Sequence, residues 1–131
     1  MKSLLQPVSW ARSKGYSDGI PSKGHVVFLS GMIGTDANGK LVSKDFLAQT
    51  RQALKNILEV LSEANGRPEH IVRMNWYVVD KKEYVSAYKE LDVIYRQMMG
   101  QHYPAMTAVQ VVSLIEDSAR VEIEVTAVLP E

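Results

Sequence analysis

The sequence contains no cysteine. That absence excludes disulfides, thiolate zinc sites, iron–sulfur clusters and cysteine nucleophiles, and nothing in the chain demands an oxidising compartment. A charge excess is missing too, because 15 Lys and Arg balance 15 Asp and Glu. No positive field is available to gather phosphate backbones or an anionic membrane surface, so neither nucleic acid nor membrane is an expected partner. No apolar run approaches the ~20 residues of a membrane span. The N-terminal stretch offers Lys2 and then only Leu4 and Leu5 before Gln6 and Pro7, far short of a signal sequence. A soluble, cytoplasmic protein is expected. Phosphate-loop, HExxH and G-x-S-x-G patterns are absent, and His25, His70 and His102 are dispersed without metal-ligand spacing. No repeat, low-complexity tract or linker divides the 131 residues, which are expected to form one domain, 1–131.

What is present is a succession of short periodic segments. After an irregular or short-strand opening through Trp10, Gly15 and Gly19 bracket Tyr16 to Asp18. His25 to Ser30 then reads as a buried strand that Gly31 ends. Asp36-Ala37-Asn38-Gly39 suits a tight turn. From Asp45 the period changes: Leu47, Thr50, Leu54, Ile57, Leu58 and Leu61 fall three or four apart, the stripe of an amphipathic helix. Asp45 stands near its start, Gly66 stops it and Pro68 prevents resumption. His70 to Val79 is dense in β-formers, and Asp80 with Glu83 has capping-box spacing for a second helix. Tyr84, Tyr88, Leu91, Tyr95 and Met98 mark that helix's expected buried side, and Gly100 its end. Strands over Met106 to Leu114 and Arg120 to Val128 close the chain, giving an α+β protein.

Val26 to Leu29 and Trp76 to Val79 are apolar on consecutive residues, so both faces of the sheet are expected to want cover. Two helices cover one face. The other is expected to meet another subunit, since such a surface left wet invites aggregation; the alternative is loop cover over central strands.

Four stretches together resemble the RidA/YjgF family: LSGMIG from Leu29 to Gly34, QTRQALKNI from Gln49 to Ile57, YPAMT from Tyr103 to Thr107 and VEIEVTAV from Val121 to Val128. They span nearly the whole chain, in order and with matching separations. The resemblance implies a chorismate-mutase-like fold with a mixed sheet on two helices, assembled as a homotrimer whose sheets surround a central barrel. It further implies small-molecule clefts between subunits, where the best-studied members hydrolyse 2-imino and 2-enamino acids to 2-oxo acids and ammonia, with no cofactor or metal.

Carried over residue by residue, the resemblance places Met106 where deaminating members have arginine, whose guanidinium grips the substrate carboxylate bidentately. Loss of such a contact typically costs on the order of 2–5 kcal/mol. Glu122 matches the carboxylate that orients or activates water, and Tyr16 a tyrosine lining the cleft. Ser30 and Gly31 match the family's serine and glycine at the strand end, and Ala108 corresponds to a main-chain group that contacts substrate or water. Tyr88 stands where those members carry a small polar residue, often asparagine. Each has a plainer alternative: a polar strand face for Glu122 and its neighbour Glu124, a loop aromatic for Tyr16, turn formation for Ser30 and Gly31, core filling for Tyr88. His102 is an alternative cation near the altered motif; Arg73 and Arg120 sit where solvated arginines are ordinary. The expected function is hydrolysis or binding of a small imine or enamine with altered specificity, the alternative a non-catalytic binding or regulatory trimer. The family's older association with ribonuclease activity finds no basic aromatic stripe here.

Overall fold

The strictest periodicity in the chain belongs to its last strand. In Val121–Leu129, Val121, Ile123, Val125 and Ala127 are buried while Glu122, Glu124 and Thr126 between them are partly exposed, as a strand packed on one face requires. In a computed structural model describing residues 4–131, this strand is β4 of β1 His25–Phe28, α1 Phe46–Ser62, a short 3-10 turn, β2 Ile71–Val78, α2 Lys81–Ser86, α3 Tyr88–Met99, β3 Ala105–Gln110 and β4. Lys2, and with it the first part of the expected N-terminal opening, lies outside the described residues.

The sheet order is β1-β4-β2-β3. β4 runs antiparallel to both neighbours, and β2 and β3 are parallel, so the sheet is mixed as expected. A parallel pair needs a crossover, which α2 and α3 supply. Register aligns Met74 with Val125 on one side and Met106 on the other, and Trp76 with Ile123 and Ala108. On this face α1 buries Phe46, Ala53, Leu54, Ile57 and Leu61, and α3 buries Leu91, Ile94, Tyr95 and Met99, in one continuous cluster with the strands. Each fully buried aliphatic side chain contributes about 1.5–3 kcal/mol.

The helix boundaries have local causes. Asp45 caps α1 by accepting from the Ala48 amide at 2.9 Å. At the other end Asn65, not Gly66, takes the left-handed turn, with φ of 61°. Gly66 is needed for a close approach, since a Cβ there would lie 2.6 Å from the Leu61 side chain. Asp80 caps α2 through the Lys82 and Glu83 amides at 3.0 and 3.3 Å. Glu83 does not complete a capping box; its carboxylate accepts from Arg120 Nε at 2.7 Å.

Further expectations are corrected. The first strand, expected buried over His25 to Ser30, spans only His25–Phe28 and is mostly exposed, because it is an edge strand. The second helix is divided at Ala87, the C-cap of α2 and N-cap of α3, and its buried stripe is displaced: Tyr88 is 55 % exposed while Ile94 and Met99 are buried. The third strand ends at Gln110, and Val112 and Ile115 beyond it are fully exposed. The second sheet face is not wholly apolar. Alternation places Asn75, Tyr77, Glu122, Glu124 and Thr126 there, and Glu124 Oε1 accepts from Asn75 Nδ2 at 3.1 Å and from the Tyr77 hydroxyl at 3.0 Å. Exposed apolar side chains on that face are confined to the edge strands, at Val26, Phe28 and Val109.

Gln49, fully buried, seats α1 on the sheet. Its Nε2 donates to the carbonyls of Ser43 at 2.9 Å and Ser118 at 3.0 Å, and its Oε1 accepts from the Arg120 amide at 2.7 Å. Gly34 lies against the same residue, where a Cβ would fall 2.6 Å from Gln49 Cα. Replacing Gln49 by leucine leaves two carbonyls and an amide without partners, at about 1–3 kcal/mol for each group that stays dry. Urea denaturation of Gln49→Leu is expected to show a loss of about 3 kcal/mol or more; a change below about 1 kcal/mol contradicts this role.

Candidate functional site

Because β3 is an edge strand, its core-facing side chains have β2 on one side only. Met106 and Ala108 open into a cavity of about 690 Å³, whose lining also includes Tyr16, Trp76, Tyr84, Tyr88, Tyr95 and Tyr103. Tyr16 is held there by its neighbour. Buried Ser17 donates its amide to the Pro104 carbonyl at 3.0 Å and its hydroxyl to the Tyr103 carbonyl at 2.5 Å, which pins the loop beside the start of β3. Tyr95 donates to the His102 carbonyl and stacks on Tyr103, ring centroids 5.4 Å apart at 15°. Tyr84 meets Trp76 at 6.1 Å and the edge of Tyr88 at 5.4 Å and 85°.

Burial pushes the Tyr84 phenol up to about 12, with Tyr88 adding to it, and burial also raises Tyr95, with Tyr103 the smaller cause. Both are neutral phenols at neutral pH. The Trp76 indole Nε1, also buried, has no hydrogen-bond partner among the described residues.

A second group lies elsewhere. Val125 and Met106 both stand level with Met74, and Glu122, three residues from Val125, projects from the opposite face. Its carboxylate rests on Gly31: a Cβ there would fall 2.1 Å from Glu122 Oε2. The glycine thus admits this chain's own carboxylate, and exposed Ser30 precedes it. Tyr77 stands level with Glu122 in β2; its hydroxyl is bound to Glu124, which raises the phenol's pKa together with burial.

The structure therefore gathers Tyr16, Tyr88, Met106 and Ala108 in one cavity, and Gly31 and Glu122 on the other face of the sheet. Sequence reasoning missed Trp76, Tyr84 and Ser17 on the first side and Asn75 and Tyr77 on the second. Strand alternation with cross-strand register was the available signal for Trp76, Asn75 and Tyr77; nothing local marks Ser17.

None of the alternative cations lines the aromatic cavity. His102 lines a neighbouring cavity of about 980 Å³ with Arg12 and Arg96. Arg96 donates to the Tyr103 hydroxyl at 3.1 Å and pairs with Asp92 at 3.2 Å, which in that order raise its pKa. Arg120 is tied to Glu83 at 2.7 Å, and Arg73 is exposed on β2. Lys14, Lys81 and Asp92 are the charged members of the first lining. Among the described residues no cluster of His, Asp and Glu could hold a metal ion, and no helix is long and apolar enough to cross a membrane.

Tyr84 keeps its proton in the folded state above the pH, about 10, at which an unfolded tyrosine ionises. Its burial therefore contributes fully below about pH 10, and the contribution is lost as pH rises through about 12. Stability is expected to fall over that window and to fall less steeply in Tyr84→Phe; equal slopes in pH-dependent denaturation curves contradict a buried neutral phenol.

The sequence profile described as Endoribonuclease L-PSP matches residues 8–129. The human protein named 2-iminobutanoate/2-iminopropanoate deaminase is 32% identical over 134 residues, covering 98% of this chain and 93% of its own. A Rid-family protein of unknown function from Yersinia pestis superposes with a TM-score of 0.85 at 30% identity, covering 98% of each chain. A YjgF/YER057c/UK114-family protein from Mycobacterium tuberculosis does so at 0.66 and 31%, covering 88% of this chain and 87% of the other. With the mixed sheet, the helical layer and a match spanning nearly every residue, the chain belongs to the endoribonuclease L-PSP family, the RidA/YjgF proteins.

Proposed function

We propose that the chain hydrolyses a small imine or enamine in clefts formed where copies of it meet in a homotrimer, each cleft joining the aromatic cavity of one subunit to Glu122 of the next. The observation that carries this reading is the placement of Met106 and Glu122 on opposite faces of one sheet, so that a single chain cannot present both to one ligand. The exposed apolar residues Phe28 and Val109 on the Glu122 face give a neighbouring subunit something to cover.

In this reading Glu122 takes a proton from water as the water oxygen bonds to the imine carbon and returns it to nitrogen, giving a carbinolamine; the hydroxyl proton then passes through the same carboxylate to the amine, and ammonia leaves as the carbonyl forms. Glu122 is suited to this because Gly31, having no side chain, lets its carboxylate lie against the backbone there, with Ser30 next in the chain as a donor. On the partner side, Tyr16 and Tyr88 offer phenols, and Ala108 an edge-strand backbone. Met106 offers no charge where the resemblance to the imine deaminases implies arginine, so the preferred substrate differs from a small 2-imino acid. No step calls for a cofactor, and the balanced charge gives nucleic acid no purchase. Met106 also favours a second reading, capture of a ligand without turnover.

Sedimentation is expected to give three times the 14.7 kDa of one chain. Freshly generated imines are expected to be hydrolysed at least about a hundredfold more slowly by Glu122→Gln. Equal rates in the two proteins remove Glu122 from the chemistry, and binding with no turnover of any imine decides for capture.

A further inference from the structure

The cavity's lining also specifies what it holds. Resting on the reading that it forms the substrate half of the cleft, we propose that it selects substrates bearing an aromatic side group, a planar uncharged ring. Tyr16, Trp76, Tyr84, Tyr88, Tyr95 and Tyr103 all belong to the wall, and their pairs at 5.4 Å lie at ordinary aromatic packing distance. Met106 adds a polarisable thioether to the same wall, a group that packs well on ring edges.

Trp76 closes the inner end of that wall. The residue is 4 % exposed and lines the cavity, and because its Nε1 is fully covered, what it offers a ligand is ring surface.

Size and charge narrow the class. A volume near 690 Å³ falls within the range of about 300–1,000 Å³ that takes drug-sized ligands and far exceeds what a three- or four-carbon imino acid fills. Ring faces alone would also suit a cation. Lys14 and Lys81 outnumber Asp92 among the charged lining residues, and that balance disfavours one.

The test is calorimetric titration of the intact protein with phenylpyruvate and indole-3-pyruvate, against pyruvate and 2-oxobutanoate. All four share the 2-oxo acid group, so the ring is what differs. The aryl ligands are expected to bind at least about tenfold more tightly. Trp76→Leu, which removes a ring from the wall, is expected to weaken them about three- to tenfold. Tyr88→Ala, at a position 55 % exposed, provides a second variant expected to reduce the aryl preference should Trp76→Leu fold poorly.

Equal or tighter binding of the short-chain acids overturns the proposal, as does failure of all four to bind, or an aryl preference untouched by both variants. Repeating the titration on Glu122→Gln separates the two claims. A preserved aryl preference with hydrolysis abolished supports both. An aryl preference in a protein that hydrolyses nothing upholds the ligand class and ends the catalytic reading. Glu122-dependent hydrolysis without aryl preference does the reverse.

Discussion

A β-strand sends successive side chains to opposite faces, and in β4 that geometry is filled without exception from Val121 to Ala127. Four apolar side chains go into the core and three polar ones go the other way. A register slip of one residue would bury two glutamates beneath the helices and expose Ile123 and Val125, at a cost no single domain sustains. The alternation therefore fixes the sheet's pairing. Through that pairing it separates Glu122 from Met106, and the division of the candidate site follows from the packing of the core.

On the core side, chemistry and stability are hard to separate. Trp76 and Tyr84 belong both to the packed interior and to the cavity wall, and burial keeps the Tyr84 and Tyr95 phenols protonated well beyond neutral pH. The cavity is consequently a place of neutral phenols and ring surfaces with Lys14, Lys81 and Asp92 as its charged members. On the other face, Glu124 is held by Asn75 and Tyr77, while Glu122 rests beside Gly31. Two carboxylates of the same strand are thus placed differently: one is bound into a structural network and the other packs against the backbone of Gly31.

Much of this was legible in the chain. The three-to-four spacing from Leu47 to Leu61 marked α1, Asp45 and Asp80 marked helix starts, and the motifs around Leu29, Gln49, Tyr103 and Val121 pointed to the family. What was misjudged involves residues whose nature is double. Tyr77 is apolar by ring and polar by hydroxyl, so the run Trp76 to Val79 looked buried on both sides although the hydroxyl serves Glu124. Tyr88 fits a helical stripe by spacing, yet it opens a new helix after Ala87 and stands at a cavity mouth. Gln49 and Ser17 carry no local mark, because their partners lie far along the chain, at Ser118 and Arg120 for one and at Tyr103 and Pro104 for the other.

The claim that a working site needs two copies is tested most directly by mixing two defective subunits. Glu122→Gln keeps the cavity and lacks the carboxylate; Ala108→Trp keeps the carboxylate and fills the cavity from the edge strand. Each alone is expected to be inactive toward imines. Co-assembled at random in equal amounts, they are expected to regain about a quarter of wild-type activity, the share of interfaces that join an intact cavity to an intact Glu122. Mixed assemblies as inactive as their parents would contradict a site shared between subunits.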